Sequence, residues 1–93
     1  MTTSSVDSLA ARILIAAVRG DREVVALPVV NGGYCVSAGG EGEEWCSSSP
    51  EEETALRAAI VQLWSADLIE PVPDSGGYFE ATEKGISTAR DMS

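Results

Sequence analysis

Ala58-Ala59-Ile60-Val61-Gln62-Leu63-Trp64-Ser65-Ala66-Asp67-Leu68-Ile69, followed by Gly77-Tyr78-Phe79-Glu80-Ala81-Thr82-Glu83-Lys84-Gly85, decides the architecture. The segment from Thr54 to Ser93 reads as a long helix, an exit at Leu68-Ile69, a strand, a turn at Pro73-Asp74-Ser75-Gly76, a second strand and a closing helix. Leu56, Ala59, Ile60, Leu63 and Trp64 share one helical face, and Val61 widens it. An arc that broad predicts burial on two sides, hence a central helix. Asp67 would fall on that face unless it ends the helix, and Asp tolerates the left-handed conformation that an ending requires. Leu68 to Val72 and Gly77 to Ala81 pair as a hairpin, with Phe79 and Ala81 on one face and Tyr78 and Glu80 on the other. Thr82 caps the last helix, which runs through Ile86 and Ala89.

Upstream of this unit the signals are also local. Ser49-Pro50-Glu51-Glu52 is a helix start: Ser49 caps, Pro50 takes the first helical position, and Glu52 reaches back to the cap amide. Residues 39–49 read as a flexible acidic loop, because Gly39-Gly40-Glu41-Gly42-Glu43-Glu44 combines mobile glycines with mutually repelling acids. Trp45 and Cys46 are its apolar anchors. Glu23 to Val30 and Tyr34 to Ala38 form a first hairpin around Asn31-Gly32-Gly33. Pro28 predicts that its strand lies at an edge or breaks there. A first helix begins after a Ser4 or Ser5 cap, buries Val6, Leu9, Ala10, Ile13, Leu14 and Ala17, and stops at Gly20 as a left-handed terminator.

These elements give one small α+β domain over residues 1–93, in the order α-β-β-α-β-β-α. The N-terminus carries no basic cluster, and the apolar run Ile13 to Val18 is far below a membrane span, so a cytoplasmic protein without membrane contact is expected. In that compartment Cys35 and Cys46 are expected as reduced thiols, a disulfide being the alternative reading. So small a core also leaves room for help from a second copy, as a homodimer.

The helix-and-hairpin stretch resembles the helix and wing of bacterial winged-helix domains, whose hairpins end in an aromatic, a Thr and a Lys-Gly pair entering the final helix. The front half is similar to small winged-helix-like modules attached to varied bacterial proteins, so the resemblance covers residues 6–92. It implies a fold rather than an activity. Asp67 stands where such sequences usually place Gly.

Charge narrows the function. The net charge of −9 lies wholly within residues 41–80, where ten carboxylates face Arg57 alone. The resemblance suggests DNA binding, but the helix before the wing opens with Glu51-Glu52-Glu53 and the wing tip carries Asp74. Phosphate neutralisation needs Lys or Arg, so direct DNA binding is not expected. The chain has no His, which removes Ser-His-Asp and Cys-His nucleophiles, and Glu43 and Glu44 oppose thiolate formation at Cys46. No catalytic residue and no cofactor is expected. Two cysteines without His do not close a tetrahedral zinc site, and the acidic loop lacks calcium-loop spacing.

The expectation is therefore a non-enzymatic protein–protein interaction module of bacterial or phage type. Its partner-binding residues would be Glu41, Glu43, Glu44, Glu51, Glu52, Glu53 and Asp74, steering toward a basic protein surface, with Trp45 as the desolvated anchor. A second reading is an acidic mimic of nucleic acid that inhibits a nucleic-acid-binding defence enzyme. A third, a winged-helix transcription regulator, requires Arg12, Arg19 and Arg22 to form a separate basic face.

Overall fold

The computed structural model describes residues 8–28, 33–40 and 43–92. Helix α1 (Ser8–Arg19) leads into strands β1 (Glu23–Pro28), β2 (Tyr34–Ala38) and β3 (Glu43–Cys46). Helix α2 (Pro50–Ser65), strands β4 (Ile69–Pro71) and β5 (Tyr78–Ala81), and helix α3 (Glu83–Met92) follow. The strands form one antiparallel sheet in the order β3-β2-β1-β5-β4. The small α+β domain expected from sequence is present, with one strand more than the order read from the chain. Residues 43–46 of the supposed flexible loop are that strand. Glycines and adjacent acids hid it, yet Trp45 pairs with Val36 and Ser47 N–H donates to Tyr34 O at 2.9 Å.

Strand alternation divides the sheet into two unlike faces. Val24, Ala26, Tyr34, Val36, Ala38, Ile69 and Ala81 join the helices' apolar residues in one core. Glu23, Val25, Leu27, Cys35, Ser37, Tyr78 and Glu80 alternate with them and are exposed or half-buried on the opposite face.

The central helix is α1, not α2. It contacts both other helices and strands β1, β2 and β5. Ala10, Ile13, Leu14 and Ala17 are fully buried. Burying Ile13 and Leu14 stabilises by about 1.5–3 kcal/mol each. Along α2, Leu56, Ala59, Ile60 and Leu63 are buried, but Val61 and Trp64 are 57% and 52% exposed. The apolar arc is as wide as the sequence indicates, and four of its six residues are buried. Trp64 instead sets its ring edge-on to Phe79, with centroids 5.8 Å apart.

Gly20 is not the left-handed residue after α1; Arg22 is, at φ 69°. Gly20 serves packing, since a Cβ there would strike the Gly39 backbone. Asp67 does end the α2 region in the left-handed conformation, at φ 66°. Pro28 is not on an edge strand: β1 is the middle strand of five, and Pro28 is its last residue. Ala26 N–H donates to Gly77 O, so the nitrogen of Pro28 faces the same side, beyond the end of β5, where no ladder donor is required. The expected first-helix start and the Asn31-Gly32 turn lie outside the described residues.

The helix-and-hairpin unit matches its sequence reading closely. Ile69 opposes Ala81, Glu70 opposes Glu80, and Pro71 opposes Phe79. The Thr82 hydroxyl accepts from Gly85 N–H at 3.0 Å and donates to Asp67 O at 2.6 Å, joining the α3 cap to the end of α2. Gly85 is required because α3 lies directly on the Leu68 carbonyl, where any Cβ would collide.

The expectation of free thiols is corrected: Cys35 and Cys46 are disulfide-bonded. They are direct cross-strand partners on β2 and β3, with Cα atoms 4.1 Å apart. Without β3 in view, their separation of eleven residues gave no such indication.

Candidate functional site

Where β3 and α2 meet α1, a groove of about 390 Å³ opens, lined by Leu9, Glu44, Trp45, Cys46, Glu52, Ala55 and Leu56. Each wall has a local cause. Trp45 is half-buried because its partner Val36 sits on the core face of the sheet. Leu56 enters the core in the second turn of α2, and Ala55 beside it is small enough to leave space. The Ser49 hydroxyl accepts from Glu52 N–H at 3.2 Å, capping α2 as expected. Glu52 does not return to the Ser49 amide, however. It accepts from the Ser48 amide at 2.6 Å and the Ser48 hydroxyl at 2.7 Å. Those two bonds, the hydroxyl first, hold the Glu52 carboxyl below its ordinary value.

Three of the expected binding residues, Glu44, Trp45 and Glu52, therefore share one groove. The others disperse. Glu43 lines a shallow depression with Arg12 and Arg19 of α1, so those two cations flank an acid. Glu53 accepts from Arg57 Nε at 2.9 Å, and the same guanidinium lies 4.3 Å from the Tyr34 ring centroid. Glu51 is exposed in the first turn of α2. Asp74 is exposed in the β4–β5 turn at φ 61°, and β3 and β4 are opposite edges of the sheet. Glu41 lies outside the described residues.

A second acidic feature escaped the sequence reading. Glu23 pairs with Glu80, and Glu80 with Glu70, so three carboxylates cross β1, β5 and β4 in one row on the uncovered sheet face. All three are exposed. Val25 opposes Tyr78 in the adjoining row. Glu23 and Glu70 are 47 positions apart in sequence, and only the pairing of β1 with β5 joins them. No signal local to either residue indicates that pairing.

Among the described residues, Cys35, Glu44 and Cys46 alone form a group of potential metal ligands, and the two cysteines are occupied by their mutual bond. No buried side-chain polar atom among those residues lacks a hydrogen-bond partner. No described helix is long and apolar enough to cross a membrane. Compared with models of protein families, with curated proteins and with solved structures, the chain matches none of them.

Proposed function

We propose that this chain is a non-enzymatic protein–protein interaction module whose β3–α2 groove receives a basic segment with an apolar anchor. The observation that carries the reading is the groove itself. Leu9, Trp45, Ala55 and Leu56 supply apolar surface, and the exposed residues Glu44 and Glu52 line its rim. An apolar side chain flanked by Lys or Arg complements both features. The partner is a protein rather than DNA. The first turn of α2 carries Glu51, Glu52 and Glu53, and Arg12 and Arg19 share their surface with Glu43, which weighs against the basic face a transcription regulator needs.

A winged-helix-like arrangement remains part of the proposal. Its support is the passage from α2 into the β4–β5 hairpin, whose inner strand pairs with β1, and the Thr82-Glu83-Lys84-Gly85 entry into α3. A cytoplasmic location belongs here as well. There the Cys35–Cys46 bond would be opened by cellular thiols. The second reading, a nucleic-acid mimic, draws on the carboxylate row Glu23–Glu80–Glu70; such a protein competes with nucleic acid for its target, and a docking module does not.

Peptide display on the immobilised full chain tests the primary reading. Selected sequences should place Lys or Arg on either side of Leu, Phe or Trp, and Trp45→Ala should abolish their capture. Selection of sequences without net positive charge, or capture indifferent to Trp45→Ala, would refute it.

A further inference from the structure

Cys35 and Cys46 occupy opposed positions on β2 and β3, and Glu44 stands two residues before Cys46 on the same strand. Alternation puts all three side chains on the uncovered face of the sheet. Their sulfur atoms and a Glu44 carboxylate oxygen lie within 4.8 Å of one another. Cys46 and Glu44 are exposed and Cys35 is half-buried, so an ion can approach from solvent without moving a helix.

We propose that, once reduced, Cys35, Cys46 and Glu44 hold a thiophilic divalent cation of the zinc type, and that disulfide and metal are alternative states of one site. Two small thiols reduce the bond: the Cys35–Cys46 S–S bond breaks, both sulfurs gain a proton, and the small thiols leave as their own disulfide. The cation then displaces both thiol protons, and a third anionic ligand comes from Glu44. Zinc bonds at about 2.3 Å to sulfur and about 2.0–2.2 Å to carboxylate oxygen suit a cluster of this size. The fourth tetrahedral position faces solvent and is left for water or an external donor, as in sites with three protein ligands. Two cysteines alone do not make such a site. Strand β3 makes it, by bringing Glu44 beside them.

The full chain, reduced with a phosphine that forms no thiolate complex, is titrated with Co²⁺ in the absence of oxygen. One cobalt per chain should bind, with a sulfur-to-cobalt charge-transfer band and the visible bands of four-coordinate cobalt, all discharged by Zn²⁺. The oxidised chain should give none of these. Glu44→Gln should weaken binding by about tenfold or more. Glu43→Gln, on the other face of β3, should leave it unchanged. Absence of the charge-transfer band, two chains per cobalt, or equal effects of the two substitutions would overturn the proposal. Circular dichroism of the reduced chain and both variants should show an intact sheet; a band that persists with the sheet lost would indicate an unfolded dithiol and would also overturn it.

Discussion

Ser49 and Glu52 show how two polar side chains fix the start of α2, which carries one wall of the groove. Ser49→Ala removes the α2 cap and should lower stability by about 1 kcal/mol, measured by urea unfolding at neutral pH. Glu52 makes its contribution only when ionised. Its carboxyl is held below the ordinary value of 4.5, so the folded state gains from it above that pH and loses the gain as pH falls through the lower folded value. Glu52→Gln should therefore flatten the acid limb of the stability–pH curve in that window, and an unchanged limb would show that the Ser48 bonds are not maintained. Gly85→Ala is the harsher change. Its Cβ meets the Leu68 carbonyl, and the clash should destabilise by about 1–3 kcal/mol in thermal or urea unfolding. Ser49, Asp67 and Thr82 were legible in the sequence because capping and left-handed turns are decided by neighbours in the chain. Trp64 was not. Helical spacing places it on the apolar arc, but nothing along the helix reveals where the covering sheet stops.

At the scale of elements, β3 and the row Glu23–Glu80–Glu70 were the unread parts, for opposite reasons. Strand β3 is short, edge-placed and rich in acids, so its local composition argues for a loop. Its register becomes evident only once Val36 and Cys35 present partners to Trp45 and Cys46. The carboxylate row joins strands distant in sequence, and Pro28 had argued for an edge position of β1, away from any second neighbour. Like charges directly opposed across strands destabilise a sheet. Glu80→Gln, at the middle of the row, should stabilise the fold by about 0.2–1 kcal/mol, and the gain should shrink with added salt. A salt-independent loss on substitution would mean that Glu80 has a favourable partner on that face.

At the scale of the whole molecule, two surfaces gather carboxylates. One faces outward from the sheet, and the other surrounds the groove between β3 and α2. The acidic residues expected to bind together are thus split, because Glu43 lines a separate depression with Arg12 and Arg19 while Glu44 and Glu52 line the groove. Association with a basic partner should be fast and should weaken with salt, since screening over about 8 Å at 0.15 M removes most long-range steering. Glu44→Gln combined with Glu52→Gln should slow association in stopped-flow measurements while changing dissociation less. Trp45→Ala should do the reverse, because the apolar anchor acts after contact. The most direct measurement is a heteronuclear NMR titration of the full chain with a peptide carrying Leu between lysines. Shifts should concentrate at Leu9, Trp45, Glu52, Ala55 and Leu56. Shifts confined to Glu23, Tyr78 and Glu80 on the open sheet, or to Val61 and Trp64, would contradict the groove as the binding site.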